Sequence, residues 1–233
     1  MLRPTFSLCH TTIRPHAWRP CYDEWIAKAL NPDDVEYCLV TDRRWGFTDY
    51  WTRTVGYPWL DERPGLNHLG HNDGGRGCSV DGWNLAAADS HGKVLILVSD
   101  DMGCPQYWDR SLRSLGAEGG EAADFVIQVK NGTPHDHRDP PLMALQIFSR
   151  KRYERLGYAL YPGYESMACD DDFGEHARLD GVVKDGTALV FPHRHAAFTG
   201  CEFDSAYAHQ NRPEAYRAGE AVLAARRACG FSA

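Results

Sequence analysis

Two groups of adjacent carboxylates carry most of the chemistry available to this 233-residue chain, Ser99-Asp100-Asp101 and Asp170-Asp171-Asp172. A histidine pair, His193 and His195, and a polar run from His10 to Arg14 complete the set. Asp100 and Asp101 directly follow the apolar stretch 94–98, where two carboxylates are costly unless water or a cation balances them. A turn or a helix N-cap is the plainer use of such a pair. Asp170 to Asp172 suit the first turn of a helix, where negative charge complements the helix dipole. His193 and His195 alternate by two, so on a strand end they share a face and could reach one ion or act as hydrogen-bonding groups. Hard divalent cations take carboxylate and diphosphate oxygens, and a guanidinium such as Arg14 takes the remaining anionic charge. The set therefore suits a divalent cation with a phosphorylated ligand.

Such residues must be brought together by elements far apart in sequence. Residues 5–9 read as a short apolar strand, and 17–30 as a helix whose Trp18, Tyr22, Trp25, Ile26 and Ala29 form one stripe. Residues 35–40 form a second strand, ending at Thr41-Asp42, so the chain opens with a strand, a helix and a strand, the unit of parallel sheets. The stretch 43–72 is rich in Trp, Tyr, Gly and Pro and is read as a long loop, whose Trp45, Trp51, Tyr57 and Trp59 either stack on a ligand or serve as core. A helix over 81–88, strands over 93–98, 125–129 and 188–191, and helices over 150–156 and 213–228 follow. In an open parallel sheet the ligand sits beyond the carboxyl ends of the strands. The four polar groups His10 to Arg14, Asp42, Ser99 to Asp101 and His193 to His195 all fall there.

The order of elements, with Phe6-Ser7-Leu8 opening the first strand, Asp42 ending the second, and 77–86 leading into the strand that ends in Asp100-Asp101, resembles nucleotide-sugar glycosyltransferases of the GT-A fold, close to the family 2 type. The resemblance covers most of the chain. It implies an α/β fold with a Rossmann-like, mostly parallel central sheet flanked by helices. It also implies a single domain with a nucleotide-binding half over about 1–102 and an acceptor half over about 103–233. Asp101 would then hold Mn2+ or Mg2+, and Asp100 would face the ribose or the metal shell. Asp42 would bind the nucleobase, and the loop from Thr11 to Arg14 would lie along the nucleotide. Arg76 and Asn84 would touch nucleotide or donor sugar, and His193 and His195 would complete the metal shell. The family pattern Glu-Asp-x-Glu-Phe-Gly-x-Arg-Ala aligns with 169–177, with Cys169 in place of the first Glu and His176 in place of Arg. Asp170 is then the expected catalytic base, with Asp171 and Asp172 as alternatives.

The implied activity is metal-dependent transfer of a sugar from a nucleotide diphosphate sugar, a UDP-sugar first, to an acceptor hydroxyl. An inverting route with an Asp base fits, and a retaining one stays open. Acceptors compatible with the sequence are a glycan, a small molecule or a hydroxymethylated base in DNA. For duplex DNA the basic residues Arg43, Arg44, Arg53, Arg150, Lys151, Arg152 and Arg155 would form the contact surface, the last four being alternatively a solvated helix face. Two rivals are a non-catalytic nucleotide- or glycan-binding module on the same scaffold and a zinc-dependent hydrolase built on His68-x-x-His71 and His135-Asp136-His137.

Composition sets the outer limits. Hydrophobic residues make up 43% and charged residues 24%, an ordinary globular balance that excludes disorder as the main property. The net charge of -7 gives no chain-wide basic coat for a polyanion. No apolar run is long enough for a membrane span, and eight cysteines without a CxxC pair read as free thiols of a reducing cytoplasm.

Overall fold

The computed structural model describes residues 4–14, 17–41, 66–71, 78–116, 123–199 and 203–232. The expected nucleobase ligand Asp42, the expected donor contact Arg76, and Arg43, Arg44, Trp45, Trp51, Arg53, Tyr57 and Trp59 lie outside them. The strands are β1 (Phe6–Thr12), β2 (Val35–Thr41), β3 (Leu66–His71), β4 (Val94–Val98), β5 (Val126–Lys130), β6 (Ile147–Ser149) and β7 (Val183–Val190). They form one seven-stranded sheet in the order β3-β2-β1-β4-β6-β5-β7. Only β6 runs against its neighbours β4 and β5; the other pairs are parallel. The fold is thus the expected α/β sheet, mostly parallel and flanked by helices.

Alternation within the central strands explains why both faces are covered. Phe6 and Leu8 of β1 and Val94, Ile96 and Val98 of β4 enter one apolar core with Trp18, Trp25 and Trp108. Cys9, Leu95 and Leu97 enter the other with Val80, Phe148 and Phe173. Successive side chains on a strand point to opposite faces, so an uninterrupted apolar run needs a layer on each side. The first core is closed by α1 (Trp18–Ala27) and α3 (Trp108–Ser114), and the second by α2 (Ser79–Asp89) and α5 (Cys169–Leu179). Trp108 donates its indole N–H to the carbonyl of Trp25 at 2.8 Å, and Trp25 donates to that of Met102 at 2.9 Å. Each buried ring thereby keeps its ~2 kcal/mol of apolar burial without stranding a polar atom.

Several elements depart from expectation. A strand, β3, lies inside the stretch read as a loop, and β7 begins five residues earlier than the expected 188–191. The basic group 150–155 is a solvated face only in part: on α4 (Arg150–Leu156), Lys151 and Arg155 are exposed but Arg150 and Arg152 are buried. Arg150 donates to the carbonyls of Gly92 and Ala87 and to Ser90, and Arg152 to Asp180, so both hold the chain together internally. The chain ends with the short α6 (Ala196–Thr199) and α7 (Ser205–Gln210), then α8 (Pro213–Ala228), which matches the expected 213–228.

Candidate active site

Every strand except β6 points its carboxyl end the same way, and a cavity of about 530 Å³ opens there. Thr11, Thr12 and Arg14 reach it from the end of β1, and Ser99, Asp100 and Asp101 from the end of β4. His193 and His195 enter beyond β7, and Asp170 and Asp171 from the first turn of α5. A close approach places Thr11: a Cβ on Gly82 of α2 would lie 2.0 Å from the Thr11 hydroxyl, so only glycine lets the helix press against β1.

The two carboxylates after β4 have different partners. Asp100 accepts from His10 Nε2 at 3.0 Å, from the Thr12 hydroxyl at 2.9 Å and from Arg14 at 3.3 Å. A carboxylate only accepts, so Nε2 of His10 carries the proton and Nδ1 accepts from the Tyr37 hydroxyl at 2.5 Å. Burial raises the Tyr37 phenol well above its ordinary range and keeps it a donor. Asp100 is thus filled by three protein donors, and the expected ribose or metal contact would have to share it. Asp101 accepts from the Ser99 hydroxyl at 2.6 Å and lies 3.2 Å from His193 Nε2. Burial works to raise the Asp101 carboxyl, but the His193 imidazole and the Ser99 hydroxyl outweigh it and hold the group ionised, well below the usual carboxylate range.

The segment carrying the histidines is fastened to the end of β4 by its backbone. Arg194 N–H donates to the carbonyl of Asp101 and Gly103 N–H to that of Pro192, both at 2.8 Å. The Arg194 side chain adds a bond to Glu24 at 2.7 Å. His195 bonds the Tyr207 hydroxyl at 3.1 Å, and burial together with the neighbouring His193 holds its imidazole below the ordinary value, in the neutral form that ligates metals.

Asp170, Asp171 and Asp172 diverge because successive residues of a helix point about 100° apart. Asp171 faces the cavity and pairs with Arg138 at 2.6 Å. Asp172 turns into the second core, where it accepts from Arg226 of α8 at 3.0 Å and from the Tyr164 hydroxyl at 3.1 Å. Asp170 faces the cavity with neutral donors, the Gln146 amide at 2.9 Å and the Cys169 thiol at 3.5 Å. Burial pushes its carboxyl up to about 6, against the lowering effect of those two hydrogen bonds. Cys169, at the position where the resemblance expects Glu, is itself a buried thiol whose ionisation burial suppresses, so it stays protonated and donates to Asp170. Ala168, which starts this helix, has φ 66°, a left-handed backbone that costs a residue with a Cβ about 1 kcal/mol.

The expected donor contact Asn84 is placed elsewhere. Its side chain is spent on backbone, accepting from the N–H groups of Ala159 and Leu160 and donating to the carbonyl of Leu160. His135 lines the cavity and packs edge-on against Phe198 at 5.2 Å. Among the described residues no cluster of three or more His, Cys, Asp or Glu is arranged to hold a metal by itself. Asp101 and His193 nevertheless fit a divalent cation of the kind that takes one or two protein groups and fills its shell with substrate phosphates and water. Sequence reasoning missed Asp204, which caps α7 and receives Arg14 in a two-bond fork at 2.6 and 3.0 Å. It also missed Arg138, Gln146 and Tyr207. Asp204-Ser205 preceding an apolar pair was an N-cap signal that could have found the first of these.

The fold this sheet and cavity define is that of the GT-A type nucleotide-sugar glycosyltransferases. The chain is similar to TarS of S. aureus in complex with UDP, with a TM-score of 0.64 and 15% identity over 80% of this chain and 59% of that one. It is similar to the same protein in complex with UDP-GlcNAc, at 0.63 and 14% over 94% and 70%. A third likeness is to the mannosyltransferase PcManGT from Pyrobaculum calidifontis in complex with GDP-Man and Mn2+, at 0.58 and 17% over 98% and 76%. The chain thus spans about three fifths of the TarS structure with UDP, 59%. No protein-family model and no curated protein sequence matches it.

Proposed function

We propose that the protein is a glycosyltransferase that moves a sugar from a nucleoside diphosphate sugar, a UDP-sugar first, to an acceptor hydroxyl with inversion. The observation that carries this reading is that Asp101 with His193, and Asp170 with neutral partners, face one cavity at the carboxyl ends of the strands. The solved structures with UDP, UDP-GlcNAc and GDP-Man support the choice of donor class.

Within the cavity the roles follow from the partners. Asp170 is the base, because Asp171 is engaged by a guanidinium and Asp172 is buried against another. A carboxylate near 6 is ionised at neutral pH yet basic enough to accept a proton from a hydroxyl as its oxygen attacks the anomeric carbon. Arg14, held by Asp100 and Asp204, is fixed in the cavity lining beside Thr11 and Thr12. Asp101 and His193, with His195 beside them, would hold Mn2+ or Mg2+, which would supply charge neutralisation for the departing diphosphate. Thr11 and Thr12 offer the hydroxyls and backbone along which the nucleotide would lie.

The test is incubation with UDP-glucose, UDP-GlcNAc and GDP-mannose, each with Mn2+, without acceptor. Slow release of free sugar that disappears in Asp101→Ala supports the reading. Absence of hydrolysis and of transfer with all three donors would sink it in favour of a binding module, provided nucleotide still raises the Tm.

A further inference from the structure

Beside its charged groups the cavity has an aromatic lining. Phe198 of α6 and Tyr216 of α8 line it with rings that remain 43% and 45% exposed. Phe198 is held from both sides, stacked on His195 with centroids 5.1 Å apart and edge-on to His135 at 5.2 Å. Tyr216 is steadied by a hydrogen bond from its hydroxyl to Asn211 at 2.8 Å. These rings are fixed in orientation and open to the cavity, where they offer flat apolar faces to a ligand. Ser166, on the loop four residues before Asp170, lines the same cavity and has a buried hydroxyl oxygen without a partner among the described residues. Buried polar atoms are nearly always paired, so an orphan beside a cavity marks a place for a ligand hydroxyl.

Charge narrows the choice of ligand. The arginines that line the cavity among the described residues are each committed to a carboxylate: Arg14 to Asp204 and Asp100, Arg138 to Asp171, and Arg212 to Glu165 at 3.5 Å. A nucleic acid needs cations to replace the counterions on its phosphates, and these three are already neutralised. Exposed rings and a spare hydroxyl acceptor suit instead the apolar C–H face and the hydroxyl rim of a sugar ring.

We propose that this lining is the acceptor subsite and that the acceptor is an uncharged saccharide packed on Phe198 and Tyr216 with a hydroxyl at Ser166. The proposal rests on the glycosyltransferase reading above. In the transfer the acceptor O–H proton goes to the Asp170 carboxylate and the oxygen bonds to the anomeric carbon. The bond from that carbon to the diphosphate oxygen breaks, its electron pair leaving with the nucleoside diphosphate.

The experiment compares transfer from the donor that the hydrolysis assay identifies, first to neutral oligosaccharides such as maltotriose, cellotriose and chitotriose and then to hydroxymethylated duplex DNA, between 50 and 500 mM NaCl. A glycosylated oligosaccharide is expected, at a rate that changes less than about twofold across the salt series, since no counterions are released. Phe198→Ala with Tyr216→Ala should raise the acceptor KM about tenfold with little change in kcat. Leu30→Ala, an exposed apolar residue outside the cavity, should leave the KM alone. Transfer to DNA with a steep salt slope, transfer to none of the saccharides despite donor hydrolysis, or an unchanged KM in the folded double variant would each overturn the proposal while leaving the transferase reading standing. Failure of donor hydrolysis and of all transfer would remove both.

Discussion

Three consecutive aspartates end up in three environments, and the neighbours of each decide what it can do. Asp170 is buried, with neutral hydrogen-bond donors and the like charge of Asp171 beside it, so its carboxyl is raised to about 6 from an ordinary value of 3.8. If Asp170 is the base, transfer should rise about tenfold per pH unit up to roughly pH 6 and then level, read from kcat/KM against pH. The same shift has a stability consequence of opposite sense. Folding raises this pKa, so the folded chain binds more protons between about 3.8 and 6, and stability falls as pH increases through that window. Asp170→Asn should therefore lose at least ~100-fold in transfer while its Tm at pH 7.5 equals or exceeds that of the parent. A variant that loses activity together with ten degrees of Tm would indicate a structural role instead.

At the scale of elements, Asp172 joins α5 to α8 through Arg226, whose guanidinium also lies 4.0 Å over the Tyr161 ring. Arg226→Met leaves a buried carboxylate without its partner and should cost roughly 3–5 kcal/mol in denaturant unfolding, with part recovered on adding Asp172→Asn. Asp172→Asn alone should keep transfer at a temperature where it is folded, which separates it from Asp170. Gly82→Ala should also lower the Tm, and should weaken nucleotide binding with it, because α2 must back away from Thr11. Which elements were legible follows from the same physics. β1, β2 and β4 are buried on both faces, and their apolar residues announce them. The edge strand β3 reads Leu-Asn-His-Leu-Gly-His, too polar and too short to stand out from the loop before it, and β7 opens with Lys184-Asp185-Gly186 at the opposite edge. In the site, the pairing of Asp101 with His193 was legible because each closes a strand. The fate of Asp172 was not, since its partner Arg226 sits within α8 with no strand end or cap signal to tie it to α5.

For the whole molecule, a net charge of -7 gave no chain-wide basic coat for a polyanion. The structure sharpens that inference, because part of the acidic excess is gathered at one end of the sheet, in Asp100, Asp101, Asp170 and Asp171. Arg14 and His193 each pair with one of these carboxylates, Asp100 and Asp101. No helix among the described residues is long and apolar enough to cross a membrane, and Cys9, Cys21, Cys38, Cys104 and Cys169 are buried as thiols. The central claim, that this cavity takes a nucleoside diphosphate with a divalent cation on Asp101 and His193, is tested most directly by calorimetric titration of UDP and of GDP with and without Mn2+. The account predicts binding of at least one nucleotide that strengthens tenfold or more with Mn2+ and loses that gain in Asp101→Ala. Binding indifferent to the metal, or equally metal-dependent in Asp101→Ala, would contradict it.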